Sequence, residues 1–455
     1  MDTYRSPLVS RGASKEMAKL WGEKTKFILW RRLWVELAKR QKELGLPFTD
    51  EQIFALEKST SIRLNEDTAK KYEEEIRHDV MAHIKAFGDQ VPIAKGIIHL
   101  GATSQFVVDN ADCMRIATAT IMVADKLNKL IIDIGEFAYT HRKVPTLGYT
   151  HYQPAQATTV GKRAAVWAYN LILILEDIND KIARFKSRGV KGATGTQASF
   201  LQLFDGDYEK VKSLDLGICS IIGAKPFAVT GQTYPRVIDA MLISSLAALA
   251  AECQKIATDI RLLSHDHEVM EGFGNKQVGS SAMPYKKNPI TCERVCGLAK
   301  LVIGMSNTAF TITSEQWLER SLDDSSPRRV LIPEVFLAVD AIIESMRRIF
   351  SNIVVNKAAI KQHCMQNAVK LTVEKILMIA VKNGADRQAF HEKLRQCSTK
   401  YSGKALLENL ASLPELEGVD VRAECQRMDI TGCATLQTEE FYKEFIIPLK
   451  DSDKE

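Results

Sequence analysis

The segment AMLISSLAALAAECQKIATDIRLL, residues 240–263, repeats apolar side chains at alternating spacings of three and four. This spacing keeps them on one face of an α-helix. Residues 123–137 and 168–185 carry two further seams of the same kind. Off its seam, the first half of 240–263 is also apolar, so this helix needs neighbours on several sides. The sequence therefore predicts an all-α fold around a central bundle of long helices. The bundle forms either within one chain or across an oligomer, and we favour a bundle to which several subunits contribute. The seams consist of Val123, Leu127, Leu130, Ile134 and Phe137; Ala168, Leu171, Leu175, Ile178, Ile182 and Phe185; and Leu242, Leu246, Leu249, Cys253, Ile256, Ile260 and Leu263.

Proline positions agree with long helices. The chain has no proline between Pro154 and Pro226, and none between Pro333 and Pro414. Proline interrupts helices, so these intervals permit long ones. We predict an N-terminal helical domain at 1–103, a central long-helix domain at 104–355 and a C-terminal helical domain at 356–455.

Composition narrows the class of protein. The 455 residues are 45% hydrophobic and 26% charged, as in an ordinary folded protein. The net charge of +5 is spread along the chain, so no nucleic-acid partner is expected. The apolar stretch 240–251 lies between Asp239 and Glu252 and is too short to span a bilayer. We expect no membrane partner and a cytoplasmic protein, since the start of the sequence lacks the apolar core of a secretory signal.

Nine cysteines are scattered along the chain. An odd, scattered set indicates reduced thiols rather than a disulfide framework. Cys292 and Cys296 are spaced to share a helix face, but no second ligand pair at zinc spacing lies near them. We expect no metal at these cysteines.

Residues 277–289, QVGSSAMPYKKNP, follow two glycines and form the most informative stretch. Here a serine hydroxyl such as that of Ser280 can act as a base if a nearby lysine and backbone N–H groups stabilise its alkoxide. Lys286 and Asn288 suit a substrate carboxylate. An ordinary Gly/Ser/Pro linker has a similar composition and remains the alternative.

Residues 147–163, LGYTHYQPAQATTVGKR, place His151 beside Thr150 and other hydrogen-bonding side chains. We interpret this as a histidine at the entrance of a long helix, oriented for acid–base work. A partly exposed capping histidine is the alternative.

Three more segments are rich in groups that bind anions. Arg77, His78 and Asp79 follow the acidic helix EDTAKKYEEEI; in LGATSQFVVDN, residues 100–110, Thr103 and Ser104 follow a glycine. A local surface network is the alternative for Arg77, His78 and Asp79, and helix capping alone explains Thr103 and Ser104 as well. In ERSLDDSSPRR, residues 319–329, a phosphate site and a surface salt-bridge cluster both fit. The candidate phosphate ligands there are Arg320, Ser325 and Arg329.

Together, GSSAMPYKKNP, THYQPAQATTVGKR and GATSQFVVDN resemble the three signature regions of the fumarase/aspartase superfamily, and the first of these patterns is highly specific. RHDVMAH, RGVKGATGTQASFLQLF, TGQTYPR and SLDDSSPRR resemble the branch that cleaves adenylosuccinate. The resemblance extends from RSPLVSR to about residue 398 and is weaker beyond.

The resemblance implies acid–base β-elimination of fumarate from adenylosuccinate and from succinylaminoimidazole carboxamide ribotide, two nucleotide substrates. It implies that Ser280 removes the Cβ proton, that His151 protonates the leaving nitrogen and that His78 orients the substrate. It also implies a homotetramer whose active sites draw on three subunits, and a reaction that needs no metal and no organic cofactor. The implied carboxylate contacts are Thr103, Ser104, Gln232, Lys286 and Asn288; the implied nucleotide contacts are Arg11, Arg294, Arg320, Ser325 and Arg329, and Gly12, Arg77, Asp79 and Thr150 complete the candidate site.

The sequence departs from the family pattern at two positions, and two rival functions remain. Gly12 stands where the family usually has a tyrosine, and Lys287 makes the loop read KKNP, as in argininosuccinate lyase. The first rival is another fumarate-releasing lyase such as argininosuccinate lyase. The second is a catalytically silent structural protein with the same fold.

Overall fold

The computed structural model describes residues 4–59, 65–274, 276–426 and 431–452. Most of them are helical, as the sequence predicts. The α-helices are α1 (Pro7–Arg11), α2 (Lys15–Leu20), α3 (Glu23–Glu43), α4 (Asp50–Ser59), α5 (Glu66–Ile76), α6 (Asp79–Gln90), α7 (Ser104–Thr140), α8 (Val160–Ala183), α9 (Ala198–Leu203), α10 (Tyr208–Ile221), α11 (Val237–His265), α12 (Ile290–Ser314), α13 (Ser325–Asn352), α14 (Lys357–Gln366), α15 (Ala368–Lys382), α16 (Arg387–Lys400), α17 (Gly403–Ala411), α18 (Val421–Gln426), α19 (Ala434–Phe441) and α20 (Ile447–Ser452).

The seams lie on long helices, which confirms the central prediction of the sequence. They belong to α7, α8 and α11, although Phe185 lies beyond the end of α8. The seam side chains of α11 are all buried. The acidic segment EDTAKKYEEEI is α5.

Short strands are present that the sequence analysis did not predict. β1 (Pro145–Thr150) and β2 (Gln153–Thr159) form an antiparallel hairpin. β3 (Lys186–Ser187) and β4 (Lys225–Pro226) pair in parallel, and β5 (Val269–Met270) and β6 (Val354–Val355) pair antiparallel. They are too short to change the fold class.

The chain forms two compact units. The first comprises Met1–Lys126, Ile174–Ala251 and Gly297–Glu344, and the second comprises Leu127–Leu173, Glu252–Cys296 and Ser345–Glu455. One core cluster of the first unit packs Trp30, Trp34 and Phe87 among aliphatic side chains. One cluster of the second joins helices α15 to α18. The division into three domains at residues 103 and 355 stays a prediction.

Two helices of the described chain, α11 and α12, are long and apolar enough to cross a membrane by length and composition alone. Half of the apolar window in α11 and a third of that in α12 is buried inside the protein. Core helices of soluble proteins pass the same test. Length and composition therefore do not distinguish a membrane span from a core helix for either α11 or α12.

A half-buried histidine in the first unit predicts loss of stability in acid. His99 accepts a hydrogen bond from the Trp34 indole N–H at its Nδ1, 2.8 Å away. Burial lowers the pKa of His99 to about 4, and the charges of His78 and Arg188 act in the same direction. A pKa depressed on folding stabilises the protein fully above the unfolded pKa of about 6.5, and the stabilisation is lost as the pH falls towards 4.

We expect His99 to contribute about 3 kcal/mol of unfolding free energy at pH 7 that is lost near pH 4. Urea unfolding of the wild type and of His99→Gln at pH 7 and pH 4.5 measures this contribution. The glutamine can still accept from Trp34 but does not titrate, so its stability should depend less on pH. Equal losses in the two proteins would contradict the prediction.

Candidate active site

His151 lies at the tip of the β1–β2 hairpin. Thr150 pairs with Gln153, so His151 and Tyr152 are the two residues of the turn. Both have positive φ, 52° and 58°, as a type I′ turn requires. The interpretation of His151 as a residue at a helix entrance is therefore wrong, since α8 begins only at Val160. The hairpin holds two non-glycine residues in a left-handed conformation, which stores strain.

The body of the hairpin is well anchored within the second unit, although its tip is exposed. β1 packs against α14 and β2 against α15. Arg163 donates from Nη2 to the carbonyl oxygen of Leu147, 2.5 Å away. Burial raises the pKa of Tyr149 to about 12, with Glu268 adding to the effect. The side chains of Thr150 and His151 are exposed. The imidazole therefore projects from a hairpin whose strands are held in place.

Ser280 lies in the irregular segment between β5 and α12. Its Oγ accepts hydrogen bonds from the backbone N–H groups of Met283, at 3.0 Å, and Ala282, at 3.3 Å. Hydrogen bonds that stabilise a charged oxygen favour its deprotonated form. These are the backbone donors that the sequence analysis expected near a serine base.

Close contacts within the loop fix the position of Ser280. Asn288 donates from Nδ2 to the carbonyl oxygen of Gly279, 2.8 Å away. A Cβ at Gly279 would lie 2.0 Å from the carbonyl oxygen of Lys286, so only glycine fits there. One N–H of Asn288 therefore braces the loop, whereas the Lys286 side chain is exposed. Lys287 lies 5.7 Å from the centre of the Phe273 ring.

Six of the candidate residues belong to the second unit. Arg294 is exposed in the first turns of α12. The others lie on the hairpin and the loop. The six are Thr150, His151, Ser280, Lys286, Asn288 and Arg294.

His78 in the first unit caps helix α6. Its Nδ1 accepts a hydrogen bond from the Met81 N–H at 3.3 Å, which places the proton of the neutral ring on Nε2. Nε2 lies 3.4 Å from Ser104 Oγ. Arg77, just before it, ends α5 in the left-handed conformation with φ 53°. His78 therefore caps α6, which the sequence analysis did not predict, and the cap also directs Nε2 towards Ser104 at the start of α7.

Two further groups extend this part of the first unit. Asp79 forms an ion pair with Arg329, 3.3 Å away, so the segments RHD and SPRR meet. Ser325 is the first residue of α13 and Arg329 lies in its early turns. A helix N-terminus with an arginine and a hydroxyl is suited to phosphate.

Thr103 and Gln232 lie in non-helical segments of the first unit. Thr103 Oγ1 is buried and has no hydrogen-bond partner within the described residues. A buried hydroxyl without a protein partner can bond to a bound carboxylate or water. Gln232 donates from Nε2 to the carbonyl oxygen of Ala193 at 3.1 Å and from its backbone N–H to Glu319 at 3.0 Å.

Arg11 and Gly12 end the first helix of the described chain. Arg11 is exposed. A Cβ at Gly12 would approach the Cβ of Ala341 to 2.8 Å. A larger residue at position 12 would therefore require the backbone to shift, which explains why glycine stands there in this chain.

A buried ionic network lies behind the candidate phosphate ligands, and the sequence analysis did not predict it. Arg236 donates from Nε to Asp324 at 2.7 Å and from Nη2 to Asp109 at 3.0 Å. Burial lowers the pKa of the Arg236 guanidinium, but Asp109, Tyr234 and Asp239 together raise it above its usual value. Asp324 also accepts from Arg320 Nη1. The surface salt-bridge alternative for 319–329 does not describe Asp324, because this carboxylate is fully buried and holds Arg320 in place.

Comparison with known proteins identifies the class. Residues 14–304 match the model of the Lyase_1 family, described as lyase. The structure resembles 3-carboxy-cis,cis-muconate lactonizing enzyme from Pseudomonas putida, with a TM-score of 0.84, 20% identity and coverage of 98% of this chain and 100% of that one. It also resembles fumarate lyase from Mesorhizobium sp. BNC1, with a TM-score of 0.84, 18% identity and coverage of 97% and 100%. These two likenesses concern the fold.

More similar sequences identify the group within this class. The chain is 44% identical to adenylosuccinate lyase of Saccharomyces cerevisiae over 401 residues, 87% of this chain and 83% of that one. It is 45% identical to adenylosuccinate lyase of Schistosoma mansoni over 412 residues, with coverage of 90% and 86%. The Pyrococcus abyssi adenylosuccinate lyase is 32% identical over 410 residues, 88% of each chain. The chain therefore belongs to the Lyase_1 family of lyases and, within it, to the adenylosuccinate lyases.

Proposed function

We propose that this enzyme removes fumarate from adenylosuccinate, giving AMP, and from succinylaminoimidazole carboxamide ribotide. The Ser280 alkoxide takes the Cβ proton of the succinyl group, the electrons form the carbon–carbon double bond and the C–N bond breaks. His151, protonated beforehand, gives its proton to the leaving nitrogen. The product pair is fumarate and the purine nucleotide or its precursor.

The pair of backbone N–H groups bonded to Ser280 Oγ carries this mechanism. A serine is a poor base unless its alkoxide is stabilised, and fixed donors stabilise it without reorganisation. His151 suits the opposite role, because its exposed ring projects from an anchored hairpin. Both steps are general acid–base chemistry by protein side chains.

The remaining candidate residues divide by chemistry. We assign Thr103, Ser104, Gln232, Lys286 and Asn288 to the two substrate carboxylates, a role that the unpartnered Thr103 hydroxyl supports. His78 orients the substrate beside Ser104. The start of α13 supports a phosphate role for its residues. The nucleotide contacts are Arg11, Arg294, Arg320, Ser325 and Arg329, with Gly12, Arg77, Asp79 and Thr150 nearby in the same site.

We also propose a cytoplasmic homotetramer whose sites combine residues of several subunits. Three long helices expose apolar side chains that another copy would cover: Val166, Tyr169 and Leu173 on α8, Val237, Met241 and Leu262 on α11, and Leu301, Ile303 and Phe310 on α12. Burial of such surface drives association. The same faces account for the apolar character of α11 and α12.

Release of fumarate tests the function. Purified protein should convert both proposed substrates, with fumarate measured by ultraviolet absorbance. Argininosuccinate should not be converted. Turnover of argininosuccinate alone would favour the rival lyase, and no turnover by a folded oligomer would favour a silent structural protein.

A further inference from the structure

Glu271 closes the base of the Ser280 loop. Its carboxylate accepts a hydrogen bond from the Cys292 N–H at 2.9 Å and from the Thr291 N–H at 3.1 Å. These N–H groups belong to the first turn of α12, where helix donors lack partners within the helix. One side chain thus caps the helix after the loop from a position just before the loop.

The start of the loop is held against rigid backbone. β5 pairs with β6, and Glu271 follows this pairing directly. A Cβ at Gly272 would lie 2.3 Å from the carbonyl oxygen of Asn352, so the chain passes close to the end of α13. The loop therefore leaves a fixed scaffold and returns to it through Glu271.

Glu268 directly precedes β5 and bonds to the β1–β2 hairpin. Its carboxylate is fully buried and accepts a hydrogen bond from Thr146 Oγ1 in β1 at 3.2 Å. The other oxygen lies 2.9 Å from His363 Nδ1 in α14. A buried carboxylate needs such partners, so these bonds fix the base of the hairpin that carries His151.

We propose that Glu268 and Glu271 are positioning residues for the elimination, a role that rests on the proposed function. They flank one short strand and hold the two segments that handle protons. Glu271 sets the position of the serine base, and Glu268 sets that of the hairpin carrying the general acid. Neither touches the substrate; each acts through the segment it holds.

The two residues serve different steps, so their variants differ in a measurable way. Glu271→Gln leaves one acceptor oxygen for the two helix N–H donors and removes the negative charge that favours a helix N-terminus, which loosens the loop without removing volume. Proton abstraction then slows, and a deuterium at the substrate Cβ should slow turnover more than it does in the wild type. Thr146→Val removes only the hydroxyl that bonds to Glu268, and it should lower the rate without raising the isotope effect.

The experiment compares kcat, KM, the Cβ-deuterium isotope effect and backbone hydrogen exchange. For Glu271→Gln we expect kcat to fall about 10- to 100-fold, KM to change less than about twofold, and amides of 276–289 to exchange faster. For Thr146→Val we expect a smaller loss of kcat and faster exchange in 145–159. Glu439→Gln and Thr435→Val are matched controls, because both residues bond to Arg142 in the same unit; neither should change the rate.

The outcomes separate this role from the proposed function. Wild-type kcat in Glu271→Gln, or an equal loss in Glu439→Gln, overturns the proposal. So does an unchanged isotope effect in Glu271→Gln, because a merely structural role would lower the amount of active enzyme and leave that ratio alone. If the wild type releases no fumarate, the proposed function fails. Unchanged hydrogen exchange in both variants would then reject the positioning role of Glu268 and Glu271 as well.

Discussion

Ser280→Ala is expected to lower kcat by about 10⁴-fold, the upper range for removing a group that transfers a proton in the transition state. The two backbone donors now bonded to Ser280 Oγ would have no alkoxide to stabilise. Binding should survive, because the hydroxyl acts mainly in the transition state. Fumarate release measures the rate, and calorimetry with adenylosuccinate measures the binding.

Ser281→Ala is the matched control for this variant. Ser281 is adjacent to Ser280 and exposed. The Ser281→Ala protein should turn over substrate at close to the wild-type rate. If instead Ser280→Ala keeps a near-normal rate, Ser280 is not the base. A larger loss in Ser281→Ala than in Ser280→Ala would move the role to the neighbouring serine.

Mixing two inactive proteins, Ser280→Ala and His151→Ala, is expected to restore activity. If each site takes the serine from one subunit and the histidine from another, random exchange in a tetramer leaves about a quarter of the sites with both groups intact. Activity should rise from the background of either variant to about a quarter of the wild-type value. The measurement is fumarate release after the proteins have been partly unfolded together and reassembled.

Each variant alone, treated in the same way, is the control for that mixture. Exchange of subunits is verified by mass spectrometry of the intact oligomer. A mixture that has exchanged yet stays at background activity would mean that one subunit supplies both groups.

The long helices could be predicted because their pattern is local. Alternating spacings of three and four define a helical face whatever lies opposite, and α7, α8 and α11 follow their seams. The acidic segment before Arg77 likewise forms α5. The division of the chain into three domains has no such local signal and stays a prediction.

The hairpin could not be predicted, because its turn lacks the usual residues. Two-residue turns of this type strongly favour Asn-Gly or Asp-Gly, whereas this one is His151-Tyr152. The pairing depends on contacts with α14 and α15, which lie far away in sequence. Tertiary contacts therefore override a weak local preference.

The buried ionic network was missed for a related reason. Asp109 and Asp324 both bind Arg236, yet the three residues are far apart along the chain. Charged residues read from sequence are expected at the surface.

The backbone donors of Ser280 were anticipated, since they arise within one short loop.

The turn that carries His151 has a consequence for protein engineering. Procedures that optimise thermostability would replace His151 and Tyr152 by asparagine and glycine, because those residues adopt positive φ without cost. The resulting hairpin would be more stable and the protein would unfold at a higher temperature, but the imidazole would be lost. Under the proposed mechanism, thermal stability and catalysis therefore place opposite demands on the two residues of this turn.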